Sequence, residues 1–263
     1  MGHLTAAAPA ETEAGLAESV STTRQYHWQD DFSPAEQAKL QRWVDDYVAA
    51  MDGLVGPLPF TLHIYMHRYA GAREPVPWAQ TQRTDRQGVI FYVNPAFSAR
   101  ALRDDWTAPH ELSHLILPYL GRRHAWFAEG FASYMQYQVM MAGGVLTASQ
   151  ARQMYLQRFE RAQGRYDMDD MPFAEAAPKL RDKRQYPTMY WGGAIYFWEI
   201  AEELQRRQQN LPDVLREFMR CCRTNSGNLD DLVQQLDQVS RTRLFSEQLQ
   251  AFQQGEGFPE FGR

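Results

Sequence analysis

Cysteine is almost absent from this chain: Cys221 and Cys222 are the only two, and they are adjacent. Neighbouring helical positions point about 100° apart, so the pair is a poor metal site and reads as two semi-buried thiols. A fold held by a disulfide framework is excluded, and the redox compartment is left open. No run of one charge sign is present either. With 27 Lys and Arg against 32 Asp and Glu, the net charge of -5 argues for solubility and against a nucleic-acid partner. No apolar run approaches the length of a membrane span. Met1 to Val20 has neither a basic n-region nor an apolar h-region, so it is not a signal peptide as written. Residues 1–24 read as a disordered leader, or as what remains of an exported protein whose signal has been removed. Internal repeats and low-complexity tracts are lacking. Compartment and oligomeric state are not legible.

What is present is a chain of 263 residues with 44% hydrophobic and 13% aromatic content, enough for a sizeable core. The first clear helix starts at Ser33-Pro34-Ala35-Glu36, with Ser33 as N-cap, Pro34 at the first helical position and Glu36 closing a capping box. Leu40, Trp43, Val44, Tyr47 and Val48 follow at helical spacing. Residues 60–69 alternate, with Leu62, Ile64 and Met66 on one face and His63, Tyr65 and His67 on the other, as a half-buried strand requires. His63 and His67 read as a solvated strand face, not as ligands. A second strand covers Gly88 to Val93 and stops at Asn94-Pro95. From Thr107 the pattern is helical almost to the end, with helices expected over 107–120, 125–142, 148–163, 187–207, 211–222, 229–239 and 244–254. Strands early and helices late predict an α+β fold, with a small N-terminal sheet lobe (25–145) packed on a mainly helical C-terminal lobe (146–263).

One segment carries chemistry. His110-Glu111-Leu112-Ser113-His114 is an HExxH pentad. On a helix, positions i and i+4 share a face, so both imidazoles can reach one zinc ion. Glu111 lies about 100° around the helix, where it can approach a metal-bound water without ligating. Two ligands leave a catalytic zinc site incomplete, because a third protein ligand is required. Glu129 can supply it. With a turn at Gly121 to His124, His114 to Leu120 rises roughly 9 Å and Ala125 to Glu129 returns roughly 6 Å. Glu129 also stands alone among Trp126, Phe127, Ala128, Gly130, Phe131 and Ala132, and a buried carboxylate needs a strong partner. Gly130 would let helices approach closely. His124 reads as a surface histidine at a helix start.

HELSH followed by WFAEGFASYM resembles the gluzincin metallopeptidases, namely the alanyl aminopeptidase type and the broader peptidase MA-like group. The resemblance covers about residues 88–205. It implies a zincin-like, thermolysin-type catalytic domain with a zinc ion on His110, His114 and Glu129; Ser133 and Tyr134 match the family's small hydroxyl and aromatic. Fourteen residues separate His114 from Glu129, fewer than in alanyl aminopeptidases and closer to the MA-like group. Tyr190-Trp191-Gly192-Gly193-Ala194 is similar to the family's Tyr-x-Lys-Gly-Ala segment, with Gly192 in place of the Lys. That match implies Tyr190 as hydrogen-bond donor to the oxyanion, with Tyr186 as the substitute in an aromatic-rich stretch.

The implied activity is that of a zinc metallopeptidase acting on peptide substrates, with Glu111 as general base and Tyr190 steadying the oxyanion. Gly88–Val93 is the candidate edge strand along the cleft. Alanyl aminopeptidases hold the substrate amino terminus with carboxylates, one in a GxMEN segment ahead of HExxH. Between Gly88 and Pro109 no such segment occurs. The only acids there are Asp104 and Asp105, which suit a helix start. An open cleft with endopeptidase or oligopeptidase action is therefore favoured over strict aminopeptidase action. Other readings stand beside this one: a non-catalytic zincin-like module that binds a peptide or protein partner, and a helical interaction protein with a coincidental HExxH. Peptide deformylase is rejected, because its cysteine ligand lies upstream of the motif and both cysteines here lie downstream.

Overall fold

Ser33 begins the first helix in the way its sequence predicts. Its side chain accepts from the Glu36 amide, Glu36 answers the Ser33 amide, and α1 runs Pro34–Val55. In the computed structural model, which describes residues 21–262, α1 lays Leu40, Trp43, Val44, Tyr47, Val48, Met51 and Val55 into the core. Trp43 meets Phe91 of the sheet with ring centroids 5.2 Å apart. The sheet has four strands, β1 (Arg24–Trp28), β2 (Leu62–Arg68), β3 (Trp78–Arg83) and β4 (Gln87–Val93), in the order β1-β2-β4-β3. β1, β2 and β4 are parallel, and β3 is antiparallel to β4. Leu62, Ile64 and Met66 are buried while His63, Tyr65 and His67 are partly exposed, as the alternation requires.

Ten helices are described. After α1 come α2 (Ala99–Asp104), α3 (Thr107–His114), α4 (Ala125–Ala142), α5 (Ala148–Gln163), α6 (Phe173–Asp182), α7 (Tyr186–Arg206), α8 (Leu211–Cys221), α9 (Leu229–Ser240) and α10 (Leu244–Gln254). The architecture is the expected α+β: a small sheet lobe against a mostly helical body. α4 and α7 cross at Gly130 and Gly193. A Cβ on Gly130 would lie 2.3 Å from the Gly193 carbonyl carbon, and one on Gly193 would lie 2.1 Å from the Trp126 oxygen. Bare backbone at both positions permits this approach, which side chains would forbid. Around it Trp126, Phe127, Tyr196, Phe197 and Phe252 interlock edge-to-face and stacked.

Several expectations need correction. β4 is not the edge strand: it lies between β2 and β3, and the edge facing the cleft is β3. β3 reads WAQTQR, polar and without alternation, so its pattern hid it, and β1, α2 and α6 were also unexpected. The helix that carries the HExxH pentad ends at His114, not Leu120. Residues 115–121 turn away, with Tyr119 bridging to Ser226. Pro118 cannot donate to a continuing helix, and the carbonyls left at this end are taken by Arg83 and Arg223. The leader expected over 1–24 overlaps the fold at its end: Arg24 opens β1, and the buried Thr22 amide donates to Asp52 at 2.8 Å. The leader's residues 1–20 lie outside the described residues. Cys221 and Cys222 are not thiols but are joined as a disulfide where α8 ends.

Candidate metal centre and active-site cleft

α3 and α4 bring His110, His114 and Glu129 to one point. Glu129 Oε2 is 3.3 Å from His110 Nε2 and 3.4 Å from His114 Nε2, and the three ligand atoms lie within 4.8 Å of one another. A tetrahedral ion bonded at about 2.0–2.2 Å to such atoms holds its ligand atoms about 3.3–3.6 Å apart. The residues therefore fit zinc in donor type and number, and the two Glu129–imidazole spacings match it. Among the described residues this is the only His/Cys/Asp/Glu group that could hold a metal. Burial raises the Glu129 carboxyl, but the charges and hydrogen bonds of His114 and His110 outweigh it and hold the group well below the usual carboxylate range. An anionic oxygen between two imidazoles in a poorly solvated pocket is what a cation at this point requires.

Two further residues orient the centre. Gln136 lies seven residues after Glu129 on α4, two turns along the same face. Its Oε1 accepts from His110 Nδ1 at 3.0 Å, leaving Nε2 turned to Glu129. Thr81 on β3 donates to Glu111 Oε2 at 3.0 Å and stands 3.2 Å from the Glu111 carbonyl. Neither was singled out by sequence. The spacing of Gln136 from Glu129 was a usable signal; Thr81 carried none, because its strand was unseen.

Tyr190 stands over the cluster, its ring 6.1 Å from that of His110 and nearly parallel to it. Burial, then the charges of Glu129 and Glu111 and a hydrogen bond to Glu129, push its phenol far above the ordinary tyrosine value, so it stays an O–H donor. Tyr186 is 43% exposed, with its ring 6.4 Å from that of Tyr190. His63 bonds His27 at 2.9 Å and His67 stands 3.6 Å from Asp30, and neither belongs to the cluster. His124 is also outside the group. Asp105 accepts from the Thr107 amide at 2.8 Å, the helix-start role expected of it, and Asp104 pairs with Arg100.

The end of α3 is held from two sides. Arg83 donates to the carbonyls of His114 and Leu117, the latter at 2.9 Å, and Arg223 donates to that of Leu115 at 2.9 Å and to Gln87 at 2.7 Å. Burial lowers both guanidinium groups to about 10, so both stay charged at neutral pH against the negative end of the helix. In front of the centre lies a cleft of about 730 Å³, lined by β3, α3, the start of α4 and Tyr190. Three of the five large hydrophobic residues that stand exposed among the described residues, Trp78, Trp106 and Tyr119, lie along it, an apolar concentration that suits ligand contact.

No family model matches the chain, and no curated protein matches it. Solved structures do share the fold. An M1 zinc metallopeptidase mutant from Deinococcus radiodurans bound to a Tyr-Ser-Ala substrate matches 92% of this chain at 12% identity, with a TM-score of 0.59 over 50% of its own length. A structure of the M1 zinc metallopeptidase from the same organism matches 91% of this chain at 14% identity, with a TM-score of 0.54 over 49% of its own. An aminopeptidase N family protein from Idiomarina loihiensis matches 90% of this chain at 12% identity, with a TM-score of 0.61 over 46% of its own. This chain thus spans about half the length of the structures it matches. At these identities the likeness is one of fold: the α+β fold described above is also that of M1 zinc metallopeptidases.

Proposed function

We propose that this chain is a zinc-dependent peptidase acting on oligopeptides, with zinc on His110, His114 and Glu129. The observation that carries the reading is the convergence of three ligand atoms of the correct types at spacings of 3.3 and 3.4 Å around Glu129 Oε2, beside the non-ligating carboxylate of Glu111 and the phenol of Tyr190. Zinc bound there would supply a Lewis acid and would lower the pKa of a water toward neutrality. Glu111 takes the proton of the attacking water and delivers it to the leaving nitrogen. Thr81 holds Glu111 Oε2 at 3.0 Å, which leaves Oε1 for that proton. Tyr190 donates to the carbonyl oxygen as it gains charge. β3, the free edge of the sheet, aligns the substrate by strand addition.

The neighbours' names lean toward aminopeptidase action. Internal cleavage is supported by a different feature: WAQTQR, the strand along the cleft, has no carboxylate of its own. Glu74 and Asp105, which line the cleft where that strand begins, lie away from the Arg83 end at which an antiparallel peptide would set its amino terminus, where an unpaired ammonium is costly. Expected, therefore, is cleavage of both members of a peptide pair differing only in N-terminal acetylation. One-residue trimming of the free-amine peptide alone would replace this reading with an aminopeptidase. The peptidase reading itself is tested by mass spectrometry of a peptide library incubated with zinc-loaded protein, chelator-treated protein and Glu111→Gln. Metal-dependent products absent from the variant are expected; no products with zinc bound would overturn it.

A further inference from the structure

Charge changes along the cleft. β3 and α3 run side by side in one direction, because Thr81 meets Glu111 and Arg83 meets the carbonyls of His114 and Leu117. Where both begin stand Glu74 and Asp105, close enough for their charges to interact, with the exposed faces of Trp78 and Trp106. Where both end stand Arg122 and Arg181, Arg181 Nη1 being fixed on the Arg122 carbonyl at 2.8 Å, with the half-buried Arg83 also lining that end. The acids lining the cleft are Glu74, Asp105, Glu111 and Glu129, so none stands at the arginine end. Asp182 approaches Arg181 only to 3.9 Å and is itself exposed.

A peptide on the open edge of β3 is oriented by its hydrogen bonds. Antiparallel pairing is the more stable per residue, and it sets the N-terminal part of the peptide at the Arg83 end and the C-terminal part at the Trp78 end. We propose that the cleft sorts peptides by the order of their charges. Acidic side chains N-terminal to the scissile bond meet Arg122 and Arg181. Cationic side chains C-terminal to it meet Glu74 and Asp105 and lie on the faces of Trp78 and Trp106, where a cation–aromatic contact adds to the ion pair. This rests on the peptidase reading and narrows its substrate class to oligopeptides that are acidic before the cut and basic after it. The same polarity disfavours a free α-ammonium at the arginine end.

The test uses two fluorescent peptides of one composition, acetylated and amidated, one with Glu residues before a neutral centre and Lys residues after it, the other with that order reversed. Binding is read by fluorescence polarisation on the full chain carrying Glu111→Gln, loaded with zinc; cleavage is read on the zinc-loaded wild type. The acid-first peptide should bind about tenfold tighter at low salt, the gap narrowing as salt screens it. Adding Arg181→Gln should shrink the gap, and adding Glu74→Gln should shrink it independently. Equal affinities, tighter binding of the basic-first peptide, or a gap unmoved by both substitutions would overturn the inference. The two failures separate: acid-first binding with no cleavage by wild type sinks the peptidase reading alone, while cleavage with no order preference sinks the inference alone.

Discussion

On the proposed function, single side chains divide between holding a metal, moving a proton and aiming the groups that do either. Glu111→Gln should retain zinc and lose peptidase activity by several orders of magnitude, because it removes the base without touching a ligand. Loss of zinc from this variant would make Glu111 a ligand. Tyr190→Phe should lower kcat about a hundredfold with little change in KM, as expected of a donor that acts on developing charge. An unchanged kcat would return Tyr190 to packing and direct attention to Tyr186. Gln136 acts through His110. Gln136→Leu should weaken zinc binding by about 10–100-fold, measured by chelator competition, while the fold persists. Unchanged affinity would show that His110 needs no such partner.

At the scale of elements, the site depends on how closely α4 and α7 pack. Gly193→Ala puts a methyl 2.1 Å from the Trp126 oxygen, a backbone atom that cannot swing aside. The helices must separate at a cost of about 1–3 kcal/mol or more. A fall in Tm together with weakened zinc binding is expected, since α4 carries Glu129; an unchanged Tm would contradict the contact. The start of α1 gives a prediction with pH. The side-chain hydrogen bond from Arg68, then those from the Ser33 backbone and side chain, hold the Glu36 carboxyl down to about 2. A depressed carboxyl contributes stability above its unfolded value, and that contribution is lost as pH falls through the folded one. Wild type and Glu36→Gln should therefore differ in Tm at neutral pH and converge between about pH 4.5 and pH 2. The longer helices were legible because periodicity and caps are local: α4 and α5 span the ranges their apolar spacing predicts, and Ser33 and Glu36 mark the start of α1; the shorter α2 and α6 were not. β3 was not legible, because an edge strand of mixed exposure needs no alternation. Nor was the end of α3, which is set by Arg83 and Arg223 from distant segments. The candidate metal group His110, His114 and Glu129 was legible because metal chemistry demands fixed residue types; Thr81 was not, because its hydroxyl meets Glu111 only through the tertiary fold.

Taken as a whole, the molecule clamps its metal helix between the sheet and the C-terminal helices. Arg83 reaches α3 from β3, and Arg223 reaches it from the turn after α8, stacking over Phe60 at 4.6 Å on the way. The helix has only eight residues, so its geometry is imposed from outside. On the proposed function, this clamped helix and α4 together hold one zinc ion. The measurement that tests it most directly is zinc content per chain, by elemental mass spectrometry, of wild-type protein and of the His110→Ala, His114→Ala and Glu129→Ala variants purified in parallel. One equivalent in wild type and a small fraction of one in each variant is the predicted result; a full equivalent retained by all three variants would place the metal elsewhere and contradict the account.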